Sequence, residues 1–325
     1  MLEAGAALEN CRALKSQINA GLSAEESFVD ACVRTDVFLG WIKTTYDPWT
    51  LFWSWGSIAL SFLAFHCAEL VFPAQRRQSY RAVGFNIVAV LTFLLLTPVV
   101  SLLAAHAVTA IVQAAHGPRF AIDLPSLGGE PGSWRAALLL PLFGFVPLFI
   151  YDFFFYWFHR LQHTSNWLWE QHKLHHTDEA VNVTTSLRHH WTELGFRALL
   201  IAIPMTVLFN VTPVEAGVVS MFTSQWGYLA HANIKLPLGP LSYVFVGPQA
   251  HRIHHSIQEQ HRNRNFAAFF PIWDIIFGTF YRPAVNEYPA TGVAGEQGTP
   301  SIASMLFAPF VRWCRMGVVG GRRAN

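Results

Sequence analysis

From Ala82 to Pro118 the chain contains no Asp, Glu, Lys or Arg, and this run constrains the fold more than any other feature. As one straight helix it would extend about 55 Å, well beyond the roughly 30 Å hydrocarbon core of a bilayer. It reads either as one span with a helical extension or as a re-entrant hairpin broken at Pro98. The whole chain shares the bias, with 52% hydrophobic and only 13% charged residues, against roughly 25% charged in a soluble domain. An integral membrane protein is expected. The formal net charge of +2 is too near neutrality to suggest a nucleic-acid partner. Cys11, Cys32, Cys67 and Cys314 show no paired spacing, so neither a disulfide framework nor a thiolate metal site is indicated.

Around that run the chain divides into four expected regions. Residues 1–48 mix charged with spaced apolar residues and read as an amphipathic segment outside the bilayer, with no basic-then-apolar signal for cleavage. Residues 49–134 form an N-terminal transmembrane region whose first span, Trp49 to Phe72, opens on Trp49, Trp53 and Trp55, residues suited to the interface. Pro73 ends that span, and the loop holding Arg76, Arg77 and Arg81 marks the cytoplasmic side by the positive-inside rule. The Gly- and Pro-containing stretch Pro125–Ser133 reads as a connection. Residues 135–285 begin with the apolar run Ala136–Phe158. Residues 196–230 then read as a helical hairpin, its second helix starting at Thr212-Pro-Val-Glu215, a capping box with proline at the first helical position. Residues 286–325 include Ser301–Met316, expected as an interfacial helix.

Twelve of the fifteen histidines fall between His159 and His261. His159 and His163, four apart on a helix, share one face. His172, His175 and His176 form an HxxHH cluster, and His251, His254 and His255 repeat it. His189, His190 and His231 lie between. The apolar run 136–158 leads directly into the first pair, and the hairpin returns His231 to the side that His190 left, so all the boxes gather on one membrane surface. One isolated histidine is usually structural; this density is not. Imidazole suits iron, zinc, copper and nickel, and there are more rings than one ion can use, so two transition-metal ions per chain are expected. Asp152 lies seven residues before His159, two turns along the same helix face. It is expected to accept a hydrogen bond from the second ring nitrogen of a metal-binding histidine.

The ordered boxes Asp152-xxx-Tyr156-Trp-Phe-His159-Arg-xx-His163, His172-xx-His175-His176, Thr185-Ser-Leu-Arg188-x-His190-xx-Glu193, His231-Ala-Asn233, His251-xx-His254-His255, Asn265-Phe and Trp273-Asp-xx-Phe277-Gly-Thr279 resemble the fatty acid hydroxylase and sterol desaturase superfamily. The likeness is strongest to its bacterial and alkylglycerol-monooxygenase-like members, and it covers roughly residues 145–282. Ala267 stands where many members have glycine. The resemblance implies an all-α membrane protein with about four transmembrane helices, capped by a cytoplasmic histidine-rich helical layer that binds two iron ions and activates dioxygen; for the bacterial branch it implies the inner membrane. It carries ligand roles onto His159, His163, His172, His175, His176, His190, His231, His251, His254 and His255, leaving His189 and His261 without one. Asp152 and Glu193 then tune rings rather than bind metal.

Breaking an unactivated C–H bond needs a metal cofactor, and zinc can take the place of iron on such ligands. A site against the bilayer suits a membrane lipid whose tail enters between apolar helices, with Arg160, Lys173 and Arg188 available to an anionic head group. The chain has neither a Gly-x-Gly-x-x-Gly after a strand nor a Cys-x-x-Cys-His haem attachment, so electrons must come from a separate donor protein. The resulting expectation is an oxygen-dependent lipid hydroxylase. Competing readings are a desaturase on the same site and a metal transporter; the latter should place its ligands near the bilayer midplane on broken helices, whereas these boxes follow the spans.

Overall fold

A computed structural model of the chain describes residues 47–76, 78–114, 134–209, 213–296 and 298–322. The expectations for residues 1–46 and for the connection at 125–133 lie outside these. Among the described residues the fold is helical, and the only β-pairings are two isolated bridges, Pro73 with Ile234 and Ser256 with Thr291. The chain falls into two units, Met1–Leu60 and Ser61–Asn325. Of the first, the described part is the start of α1 (Pro48–Val71), where Trp49, Phe52 and Trp53 pack on one another with ring centroids 5.4 to 5.8 Å apart.

Among the described residues two helices are long and apolar enough to cross a membrane: Leu51–Val71 within α1, and Tyr80–Ala104 within α2 (Tyr80–Ala114). As far as Ala114 the charge-free run is therefore one continuous helix and not a hairpin. Pro98 sits inside it without ending it. The carbonyl that loses an amide partner to Pro98 is that of Leu94, four residues back; beside it, Thr97 Oγ1 donates to the Phe93 carbonyl at 2.6 Å.

The rest of the second unit is a series of helices between 5 and 31 residues long. α3 (Trp134–Thr164) is followed, after Ser165, by α4 (Asn166–His176), with Ser165 accepting from the Leu168 amide as N-cap. α5 (Glu193–Arg197) continues through a π-turn, Ala198–Ala202, into α6 (Ile203–Leu208). α7 (Pro213–His231) starts at the proline that the sequence marks. α8 (Pro248–His254), α9 (Ile272–Ile276) and α10 (Ile302–Arg322) complete the set.

Polar anchors tie the adjoining ends of α1 and α2 to the loops between these helices. Glu69 near the end of α1 is buried and accepts from the amides of Val183 at 2.7 Å and Asn233 at 2.8 Å. Asn86 of α2 is equally buried. It donates to Asp178 at 2.7 Å and to Thr184 at 3.0 Å, and accepts from Arg188 at 2.9 Å. A buried carboxylate or amide is costly unless paired, so each anchor fixes a helix end against one particular loop.

Candidate metal centre

On a helix i+3 and i+4 stand about 100° apart on either side of i, so the three rings of an HxxHH box diverge from one point. The two HxxHH boxes resolve this by sharing their rings between two groups. In α4, His172 and His176 join His159 and His163 from the end of α3, while His175 turns the other way. In α8 the roles are exchanged: His254 joins the first group, and His251 with His255 joins His175 and His231 in the second. Within each group the candidate donor atoms all lie within 4.8 Å of one another.

Carbonyls orient several of these rings. His159 Nδ1 donates to the Phe266 carbonyl at 2.8 Å, His254 Nδ1 to that of Arg264 at 2.9 Å, and His231 Nδ1 to that of Gly227 at 2.7 Å. With the proton on Nδ1, the Nε2 lone pair faces the group. Nε2 of His159 and of His254 is buried with no hydrogen-bond partner among the described residues. Elsewhere Nε2 faces Nε2: His163 to His176 at 3.1 Å, His172 to His176 at 3.2 Å, His175 to His231 at 3.0 Å, His231 to His251 at 2.9 Å and His251 to His255 at 3.2 Å. Imidazole nitrogens bound about 2.1 Å from one ion at right angles are about 3 Å apart, so the spacing and the orphaned donors fit metal ions. Burial pushes the His175, His176, His251 and His255 rings well below their ordinary range and His254 down to about 3. Neutral imidazole is the form that binds a metal.

Glu193 stands beside the first group. Its Oε2 lies 3.5 Å from His172 Nδ1 and 3.0 Å from His189 Nδ1, and its Oε1 accepts from Arg197 Nη2 at 2.8 Å. Burial alone would raise this carboxyl, but His189 and Arg197 beside it hold it well below the carboxylate range.

Two expectations are corrected. Asp152 touches no ring nitrogen; it accepts from the amides of Ala268, Phe269 and Phe270 at 2.8 to 3.2 Å. Seven residues of helix put it about 10 Å along the axis from His159, on the right face but too far away. His190 joins neither group. Its Nδ1 meets Thr192 Oγ1 at 2.7 Å and its Nε2 meets the Leu306 carbonyl at 3.2 Å. The neighbouring ring, His189, is the one turned inward, stacked on His175 with centroids 4.5 Å apart. The non-helical stretch 188–192 offers no period from which to choose between them. His261 sits apart, hydrogen-bonded to Ser256 and Glu287.

The head-group cations also fall elsewhere. Arg188 is wholly buried, bonded to Leu174, Asn86 and Thr177. Lys173 pairs with Glu296. Arg160 donates to the Tyr156 hydroxyl.

Other groups had no assigned role from sequence. Asp274 accepts from the amides of Phe266 and Ala267 at 2.8 and 2.9 Å, so with Asp152 it satisfies five successive amides, 266 to 270. Asn265 adopts the left-handed region at φ 57°, which Asn tolerates better than most residues. Its two neighbours, Arg264 and Phe266, supply the carbonyls that orient His254 and His159. The Asn265-Phe and Trp273-Asp boxes were the available signals.

A cavity of about 160 Å³ adjoins both groups. It is lined by His159 and His172 from the first, by His175, His231 and His251 from the second, and by Phe93, Tyr151, Phe155, Trp226 and Phe269.

Two apolar helices of spanning length and a double histidine cluster able to hold metal define the class: a helical protein with candidate membrane spans and a histidine-rich candidate metal site. Within it, residues 144–279 match the family model described as fatty acid hydroxylase. The chain is 33% identical over 190 residues to an ornithine lipid hydroxylase of Rhizobium tropici, covering 58% of this chain and 56% of that protein. It is 32% identical over 172 residues to an alkylglycerol monooxygenase of Danio rerio, covering 52% of this chain and 37% of that one. To a very-long-chain aldehyde decarbonylase of Oryza sativa it is 30% identical over 156 residues, covering 43% of this chain and 23% of that one. The chain thus spans little more than half, or less, of the length of these relatives. No solved structure matches.

Proposed function

We propose that the protein is a non-haem diiron, dioxygen-dependent hydroxylase acting on the alkyl portion of a membrane lipid. The observation that carries this reading is the cavity: apolar walls and imidazoles from both groups share one small space. The hydroxylase and monooxygenase names of the Rhizobium tropici and Danio rerio relatives support it. His159, His163, His172, His176 and His254 would hold one ion, and His175, His231, His251 and His255 the other. Bound iron would supply the oxidising power for a C–H bond, which no side chain has. The protein supplies the rest. Phe155, Trp226 and Phe269 exclude water around the alkyl segment, while the carbonyls of Arg264 and Phe266 and the Glu193 carboxylate keep the ring lone pairs aimed.

The balanced reaction, RH + O2 + 2 e⁻ + 2 H⁺ giving ROH + H2O, calls for an external electron donor protein. We further propose that α3 is a third span and that the hairpin containing α7, which returns to the side it left, is the fourth element of the membrane region. The histidine layer then lies on the cytoplasmic side, as the Arg76, Arg77 and Arg81 loop suggests, in a bacterial inner membrane.

Product mass tests the reaction. With membrane lipid, reductant, a one-electron carrier and ¹⁸O2, the expected product is lipid one labelled oxygen heavier. Unlabelled lipid lighter by two hydrogens would make the protein a desaturase, and bound metal with no lipid product would return the metal-transport reading. Zinc can occupy the same imidazoles, so iron is supplied during preparation.

A further inference from the structure

The cavity beside the histidines has one charged group in its wall. Arg197 is the only Lys or Arg among the described residues that line it, and Tyr151, Ser186, Thr223 and Ser224 line it too. Its Nε and Nη2 both donate to the same oxygen, Glu193 Oε1, at 3.0 and 2.8 Å. The guanidinium carbon lies 5.7 Å from the Phe155 ring centroid. A guanidinium carries five N–H donors in a planar fork, so a pair made through one carboxylate oxygen leaves donors for a second acceptor. The partners also differ in exposure, 1% for Glu193 against 30% for Arg197; the carboxylate is buried behind the cation, and the cation meets the space.

Proximity gives the second half of the argument. Glu193 stands between the cation and the histidines, its Oε1 2.8 Å from Arg197 Nη2 and its Oε2 3.5 Å from His172 Nδ1, so the guanidinium and the His172 ring flank one carboxylate. Whatever part of the substrate stands at His159, His172, His175, His231 and His251 is therefore only a few atoms from whatever part meets Arg197.

We propose that Arg197 is a substrate-binding residue that holds an oxygen-bearing acceptor group of the lipid at the cavity wall, so that the carbon oxidised lies within a few bonds of that group and not in mid-chain. This rests on the reading of the protein as a lipid oxidase. It deepens that reading by naming the substrate class: a chain whose reactive end carries a carboxylate, hydroxyl, ester or ether oxygen.

Binding without turnover tests it. Metal-loaded protein in detergent micelles is titrated with tritiated hexadecanoic acid, and hexadecan-1-ol and hexadecane are used as competitors. Wild type should bind the acid and the alcohol at least about tenfold more tightly than the alkane, as a charge-assisted hydrogen bond warrants. Arg197→Met, of similar length but without donors, should lose that preference while its affinity for hexadecane stays within about twofold. Arg197→Lys keeps a cation for Glu193 but not the fork, and should lose the preference in part. The proposal is overturned if Arg197→Met weakens acid and alkane alike, which marks a purely structural role through Glu193. It is equally overturned if the preference survives. Should Arg197→Met fail to fold, an unchanged preference in Arg197→Lys overturns it as well. Failure of all three compounds to bind wild type would count against the lipid reading itself, whereas binding independent of Arg197 removes only this residue's role.

Discussion

The two histidine groups are built from the same boxes but are held differently. In the first, three of the five rings have a fixed Nδ1 partner: His159 on Phe266, His254 on Arg264 and His172 on Glu193. In the second, His231 has the Gly227 carbonyl, but Nδ1 of His175 and of His255 is buried with no partner among the described residues. Outer hydrogen bonds set a ring's tautomer and raise its basicity as a ligand. The first group is thus organised before an ion arrives, and the second is organised by its ion. Since four donors also bind less firmly than five, the second ion should be the easier one to remove.

The largest test of this contrast deletes one ring from each group. His176→Ala takes away the ring whose Nε2 faces both His163 and His172; His255→Ala takes away its stacked neighbour, 4.3 Å distant, from the other group. Each should lower the metal content of iron-loaded protein from two ions per chain toward one and reduce turnover at least about a thousandfold, because the site acts as a unit. Titration with a chelator should then show the ion left in His255→Ala to be the tighter of the two. The reverse order would break the comparison.

Acid offers a graded version. His254 has a folded value near 3 against about 6.5 in the unfolded chain, and the other buried rings are lowered too. Between those limits the unfolded state binds more protons, so stability rises with pH and is lost as pH falls through that window. For His254 alone, going from pH 7 to pH 5 should cost the metal-free protein roughly 2 kcal/mol. In metal-loaded protein the same change should expel the second ion first, read by metal retained after gel filtration at each pH. Simultaneous loss of both ions would mean that the groups are equally held.

How far these features could be read in advance depended on the range of the interaction. The long helix through Pro98 was one of two open choices, and the paired rings His159 and His163 followed from helical spacing alone. The division of each HxxHH box between two groups is also implicit in helix geometry, but only the partner helices determine which ring goes where. Asp152 was placed on the correct face by its seven-residue offset; the offset carried no account of distance along the axis, nor of a loop 116 to 118 residues later that would come to fill its oxygens. Nothing in the sequence around Asn265 announces that its two flanking carbonyls steer separate histidines.

That loop gives a third, smaller test. Asp152→Ala strips the acceptors from the half-buried amide of Ala268 and the buried amides of Phe269 and Phe270, and since a buried amide left unpaired costs about 1 to 3 kcal/mol, unfolding should cost at least about 2 kcal/mol less. Its effect on metal should fall on the first group, whose His159 is oriented by the Phe266 carbonyl in the adjoining turn, and should spare the second. Asp152→Asn keeps the shape and retains an oxygen acceptor, so it should lose less stability. If Asp152→Ala leaves thermal unfolding unchanged while abolishing metal binding, the carboxylate acts on a ring after all and the loop is not its target.

The smallest effect is expected at His190, and it decides the membership of the second group. His190 is spent on Thr192 and on the Leu306 carbonyl of α10, whereas His189 stacks on His175 and shares the Glu193 carboxylate with His172. His190→Ala should therefore cost about 1 kcal/mol, the net worth of an ordinary hydrogen bond, with both ions retained and turnover within about twofold. His189→Ala should weaken the second ion, because the ring that packs against His175 is gone, and should also loosen His172 by freeing half of its carboxylate partner. Metal content and chelator half-times on the two variants separate these outcomes. If His190→Ala loses an ion and His189→Ala does not, the stretch 188–192 rearranges on metal binding to deliver His190, and the second group gains a fifth ring. The contrast between a firmly held and a loosely held ion would then disappear.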